Sequence, residues 1–186
     1  MLGPCINASG RLDTAARSLA LLNAKTKEEA ARLAGDLTAL NQSRKALTEK
    51  GKEEAIRIIE TTELKNDRVL VVYLPDCHES LAGIIAGRIR EKYHRPAFVL
   101  TGGETSAKGS GRSIESYSMY EELVKCADLM IQFGGHPMAA GLSIEEKNIE
   151  EFRRRLNVNC TLTDEELRPK IVIDVPMPVS YITKDW

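Results

Sequence analysis

Four short stretches of this chain hold residue types that could do chemistry. Lys108-Gly109-Ser110-Gly111-Arg112-Ser113 mixes two cations and two hydroxyls with glycine. Glycine lets a backbone approach a ligand closely, a serine hydroxyl bonds phosphate oxygens, and arginine offers a planar fork matched to phosphate. Spacing alone leaves two readings open, an anion site and a solvated hairpin that needs glycine. It is not a P-loop, because residues 103–108 lack the G-K-[ST] ending. A second stretch, Phe133 to Gly141, puts His136 between Gly134-Gly135 and small residues. There an imidazole can donate to a phosphate oxygen or shuttle a proton, or simply sit in a tight turn bonded to its own backbone. The third, Gly3 to Arg11, carries Asn7, Ser9 and Arg11 on a glycine-rich loop before a helix, fit for a phosphate or ribose contact or for a fraying tail. In the fourth, Cys77-His78-Glu79-Ser80, adjacency on a strand-to-helix turn points the thiol and imidazole apart. No Asp or Asn partner is evident, so His78 reads as a positional residue at a helix start rather than half of a catalytic dyad.

What is missing is as informative. No D-x-D or D-H-H cluster occurs, and the histidines, His78, His94 and His136, are isolated. A pair of divalent ions has no ligand set here, so if the reaction is phosphodiester cleavage, this chain does not hold the metal site. The four cysteines (Cys5, Cys77, Cys126, Cys160) lack zinc or disulfide spacing and fit free thiols in a reducing cytosol. A net charge of −1 requires any nucleic-acid-binding cations to be concentrated locally. No secretory signal and no apolar run near the roughly 20 residues of a membrane helix are present, so a cytoplasmic protein is expected.

The elements that must position these residues follow from periodicity. The first eleven residues read as a loop, and Asp13 or Thr14 can cap a short helix through Leu22. Thr26 and Glu29 form a capping box for a helix to about Glu60, some 50 Å long at 1.5 Å per residue. That is too long for a domain of this size, and its polar middle, Asn41 to Lys52, suggests a connector. Val69 to Leu74 is a continuous apolar run typical of a buried strand. A helix over about 80–93 with small residues Ala82, Gly83, Ala86 and Gly87, a strand Ala97 to Leu100, and a helix from Met119 to Phe133 come next. A Gly-Gly turn, a strand near Leu142 and a helix capped by Ser143 complete the pattern. Alternating strands and helices predict an α/β domain. Lys170 to Val175 reads as a lone strand, adding to that sheet or opening a further, truncated domain.

Taken together and in order, four blocks resemble the carboxyl-terminal part of the RecJ exonucleases, members of the DHH phosphoesterase superfamily. They are Gly3-Pro4-x-Ile6-Asn7-Ala8-x-Gly10-Arg11-Leu12; His78 to Gly83 with Ile84-Ile85-Ala86-Gly87-Arg88; Gly109-Ser110-Gly111-Arg112-Ser113; and Gly134-Gly135-His136 with Ala139-Ala140-Gly141. The resemblance implies an α/β fold, a mixed β-sheet flanked by helices (the DHH-associated domain) over 63–159. It implies a motif loop and long helical connector over 1–62, and the start of an oligonucleotide-binding-type domain over 160–186. It further implies a parent enzyme that digests single-stranded DNA from its 5′ end in recombination and repair. That enzyme's Mn²⁺ or Mg²⁺ ions would sit on a separate DHH domain, this chain having no cofactor of its own and being inactive alone. Carried over by position, Ser110, Gly111 and Arg112 hold a phosphate near the strand end, with Gly134 and Gly135 beside them. Asn7 and Arg11 reach the cleft from the connector side, His78 sits at the strand-to-helix turn, and His136 contacts the scissile phosphate as an auxiliary donor. The family often has Trp, Gly and Arg where this chain has Cys77, Ser80 and Cys5. Losing that Arg puts more weight on Arg11. Alternatives are a DHH-type phosphodiesterase of oligonucleotides or cyclic dinucleotides, the editing-related accessory domain of an alanyl-tRNA synthetase, and an interaction scaffold without a ligand.

Overall fold

The structure is a computed structural model that describes residues 3–171 and 173–181. Five strands form one mixed sheet in the order β1-β2-β3-β5-β4. They are β1 (Leu70–Leu74), β2 (Ala97–Thr101), β3 (Ala107–Arg112), β4 (Met130–His136) and β5 (Ala139–Ile144). β1 and β2 run parallel, joined by the crossover helix α4 (Glu79–Tyr93), and the remaining pairings are antiparallel.

The continuous apolar runs of β1 and β2 are explained by burial on both faces. On one face Leu70, Val72, Ala97 and Val99 pack against Leu81, Ile85 and Ile89 of α4 and Ala55 and Ile59 of α3 (Lys27–Thr61). On the other, Val71, Phe98 and Leu100 join Leu142 and Ile144 of β5. Met119 and Leu123 of α5 (Met119–Val124) and Phe152 and Leu156 of α6 (Ile149–Val158) complete this cluster. Phe98 meets Phe152 edge to face at a centroid distance of 5.4 Å. Leu162 belongs to the same cluster, with Cys160 and Leu167 packed against it.

The long helix α3 starts where the sequence puts it. Thr26 Oγ1 accepts the Glu29 N–H at 3.1 Å, while the Glu29 carboxylate accepts from Lys25 N rather than from the cap residue. None of its residues is buried between Asn41 and Ala55. Its two ends pack against different neighbours: Ala55 and Ile59 on the sheet side, and Leu37 and Asn41 towards α1 (Gly3–Leu12) and α2 (Ala16–Leu22).

Several expected elements differ. Residues 3–12 are helix α1, not a loop, because Ala8 and Ser9 bury completely and Ser9 Oγ meets Ser18 Oγ of α2 at 2.7 Å. Pro4 lies in the first turn, where a missing N–H costs nothing. Asp13 and Thr14 do not cap α2, whose N-cap is Ala15; Asp13 instead pairs with Arg17. The helix expected from Met119 to Phe133 stops at Val124, and residues 130–136 are strand, since Phe133 pairs with Leu142 and packs on the core. Gly134 and Gly135 are therefore within β4, and Pro137 and Met138 make the turn. Ser143 is a strand residue, not a helix cap; α6 starts after Asn148, without a side-chain cap bond. The described residues of 170–175 form no strand, and Ile171 and Ile173 are exposed; Val172 lies outside the described residues.

Candidate nucleic-acid interface

The glycine-studded stretch is the middle strand of the sheet, and its alternation sorts the residues. Ala107, Gly109 and Gly111 face the core, whereas Lys108, Ser110 and Arg112 face the other side. A Cβ at Gly111 would lie 2.6 Å from both the Phe98 ring and Met119 Sδ. Gly111 is thus required by packing, and its Cα faces the core rather than the side of Ser110 and Arg112.

Register carries the outward face across three strands. Arg112 pairs with Ala139 and Ala139 with His136; Ser110 pairs with Gly141 and Gly141 with Gly134; Lys108 pairs with Ser143 and Ser143 with Gln132. Directly paired residues point to the same side, so these nine form three parallel rows on one surface. On this same face α3 covers β1, and α4 covers β2 and packs along β3. Beside α4, over the rest of β3 and over β5 and β4, it stays open as a groove of about 500 Å³, walled by Glu79 and Ser80 at the start of α4. Gly134 has no atom within 4 Å of where a Cβ would be, and Gly141 has one only at 3.8 Å, so the floor is low and clear. Gly135 takes a φ of +153° that other residues rarely adopt, letting β4 close on Ala139 and Ala140.

Arg112 stands one row beyond the residues that line the groove. Its side chain lies in a slot on α4: a Cβ at Gly83 would be 2.7 Å from Nη2, and one at Gly87 would be 4.0 Å from Cγ. Burial, and then the charge of Arg11, pull the guanidinium below its ordinary pKa. Among the described residues most arginines are ion-paired, such as Arg153 with Asp67 and Arg155 with Asp128, but Arg11 and Arg112 are not. Arg11 reaches over from α1 to donate to Ser80 O at 2.8 Å, and Arg112 donates to Gly111 O at 2.7 Å. Two like charges within mutual influence and without a carboxylate are relieved by an anion placed between them. Asn7 is exposed one helical turn before Arg11, on the same face of α1.

Both candidate histidines are fixed by backbone. His78 caps α4, its Nδ1 accepting the Ser80 N–H at 3.2 Å with Ser80 Oγ at 2.8 Å. His136 Nδ1 accepts the Met138 N–H at 3.3 Å. In a neutral ring this leaves the proton on Nε2, which becomes a donor. His136 shares the Arg112 row, two strands or about 10 Å away. His78 lines a different hollow, with Cys77 and α3 residues Leu47 and Gly51; burial pushes the Cys77 thiol up, away from nucleophile behaviour. Arg11, Arg112, Ser110, Gly134 and His136 are thus brought to one surface, while Gly111 and His78 are not.

Sequence reasoning missed Gln132 and Ser143, which share the groove, and took Lys108 only as part of a candidate anion stretch without giving it a role. The signal was present in Lys108-x-Ser110-x-Arg112, a period of two, but the glycines between read as a turn. Among the described residues no group of three or more His, Cys, Asp and Glu could hold a metal ion. The groove's arginine, lysine and hydroxyl donors do not fit one either. No helix among them is long and apolar enough to cross a membrane.

Fold and site together define an α/β domain with an open, glycine-floored groove edged by arginine, lysine and hydroxyl donors. The DHHA1 domain model matches residues 66–161, just over half of the chain, and the chain belongs to that family. It is 38% identical over 194 residues to the single-stranded-DNA-specific exonuclease RecJ of Salmonella typhimurium, an alignment covering 99% of this chain and 34% of that protein. The crystal structure of RecJ from Thermus thermophilus in complex with Mg²⁺ superposes at a TM-score of 0.75 and 34% identity, over 83% of this chain and 24% of that one. The corresponding Mn²⁺ complex gives 0.73 and 33%, over 83% and 23%. The chain spans between 24% and 34% of the length of the curated relatives it matches.

Proposed function

We propose that this chain grips the end of single-stranded DNA for a 5′-to-3′ exonuclease of DNA recombination and repair in the cytoplasm. In this reading residues 63–159 bind the strand, 1–62 carry Arg11 and the connector, and 160–186 lead to an oligonucleotide-binding-type domain. The observation that carries it is the meeting of Arg11 and Arg112 without an acidic partner at the head of an open groove. The two guanidiniums and the Ser110 hydroxyl hold the phosphate near the strand end by charge-assisted bonds, and Asn7 adds a contact from α1. His136 donates Nε2–H to the scissile phosphate and stabilises charge that develops there. The Mn²⁺ or Mg²⁺ ions belong to a separate DHH domain of the same enzyme. Backbone contacts carry no base information, so binding is independent of sequence.

The test is fluorescence anisotropy with 5′-phosphorylated oligothymidylate across a salt series. Binding should weaken steeply with salt. Arg112→Ala should cost about 10- to 100-fold, the worth of a charge-assisted contact, and Arg11→Ala somewhat less. Unchanged affinity in both variants overturns the site. In the same samples the purified chain should release no nucleotides with Mn²⁺ present, and metal-dependent release would contradict the assignment of hydrolysis to another domain.

A further inference from the structure

The end grip uses the Arg112 row and Ser110 of the middle row, and leaves the third row free. Lys108, Ser143 and Gln132 lie in register at the opposite end, on the same sheet face. Lys108 Nζ donates to Ser143 Oγ at 3.0 Å, which holds the ammonium over the floor. Among the described residues Lys108 is exposed and makes no ion pair. Between the two charged rows, the middle row of Ser110, Gly141 and Gly134 has no side chain larger than a hydroxymethyl group. The floor is therefore continuous, with cations at both ends and the acidic Glu79 confined to the α4 wall.

Lys108 lies four positions before Arg112 along β3, about 13 Å at 3.3–3.4 Å per residue. A stacked strand rises about 3.4 Å per nucleotide, so that distance is about four stacked nucleotides, and fewer when the strand is unstacked. A phosphate held at Arg112 thus brings the backbone of a nucleotide two to four positions along to Lys108. Isolated phosphate at Arg112 cannot reach that row.

We infer that Lys108, steadied by Ser143 and joined by Gln132, is a second subsite that binds a phosphodiester two to four nucleotides from the strand end. This rests on the end-grip reading and adds a direction: the strand runs along β3, from the Arg112 row to the Lys108 row. Lys108 supplies charge, and the Ser143 hydroxyl and Gln132 amide supply hydrogen bonds to phosphate or sugar oxygens.

The test compares Lys108→Ala, Lys108→Arg and Arg112→Ala with the parent chain, against thymidine 5′-monophosphate and 5′-phosphorylated oligothymidylates of two to eight nucleotides. Circular dichroism and melting confirm that each variant folds. Lys108→Ala should bind the mononucleotide normally but bind strands of five or more about fivefold more weakly at 0.1 M salt. Its salt slope should fall by about 0.7, the value for one lost phosphate contact on a single strand. Lys108→Arg should restore both. No length-dependent loss, or an equal loss for the mononucleotide, overturns the second subsite. If Arg112→Ala instead binds everything normally, the end grip itself has failed, a separate outcome.

Discussion

The two ends of the sheet were built for opposite purposes from the same five strands. At the β1 and β2 end both faces are sealed, by α3 and α4 on one side and by the Phe98 and Phe152 cluster on the other. Beyond α4, towards β5 and β4, only one face is sealed, and the other carries Lys108, Ser110, Arg112, Gln132 and His136 around a glycine floor. The crossover helix accounts for the difference. α4 links β1 to β2 and lies over β2 and β3, where Gly83 and Gly87 admit the Arg112 side chain, while α3 covers β1 and no helix covers β5 and β4 on this face. Binding surface is created here by withholding a helix, while the sealed end holds the open one flat.

The sharpest way to break this contrast is to hollow the sealed end. Phe98→Ala removes a fully buried ring, and about 3–5 kcal/mol of unfolding free energy should be lost in urea titrations. A loss below about 1 kcal/mol would mean that the sealed end is not the main source of stability.

A gentler pair uses one substitution on the two faces of the groove-bearing strands. Gly111→Ala pushes a methyl group into Phe98 and Met119 and should cost about 1–3 kcal/mol. Gly134→Ala meets nothing within 4 Å and should change stability by no more than about 0.5 kcal/mol. It raises the groove floor, however, and DNA affinity should fall. Equal stability losses at the two positions would contradict the assignment of faces.

The smallest effect expected concerns pH and lies away from the groove. Arg154 and Arg155 hold the Glu151 carboxylate down to about 2, from an ordinary 4.5. A carboxylate lowered on folding contributes stability that is complete above its ordinary value and disappears as pH falls through the lowered one. Melting temperatures measured from pH 6 to 2.5 should therefore fall slightly less for Glu151→Gln than for the parent chain. Because the group is exposed, salt should erase most of the difference.

Much of the frame was legible beforehand. Continuous apolar runs announced β1 and β2, and Thr26 with Glu29 announced the start of α3, because each signal is local and agrees with its surroundings. The errors have a common physical cause. Glycine and serine carry turn propensity, so residues 107–112 and 134–135 read as loops; Phe98, Leu100 and Leu142 occupy the space where side chains at Gly109 and Gly111 would be, and Gly134 and Gly135 pair with Gly141 and Ala140 of β5. Residues 3–12 read as a loop until α3 is there to bury Ala8 and Ser9.

The sequence by itself determined the kinds of donor available, the absence of a D-H-H cluster, and an alternating α/β pattern, since composition and short-range periodicity are properties of the chain alone. Only the tertiary structure decided which donors act together. Strand register, set by contacts between residues distant in the chain, aligns Arg112 with His136 and Lys108 with Gln132. The packing of α1 against α3 and α4 brings Arg11 to Ser80, within electrostatic reach of Arg112.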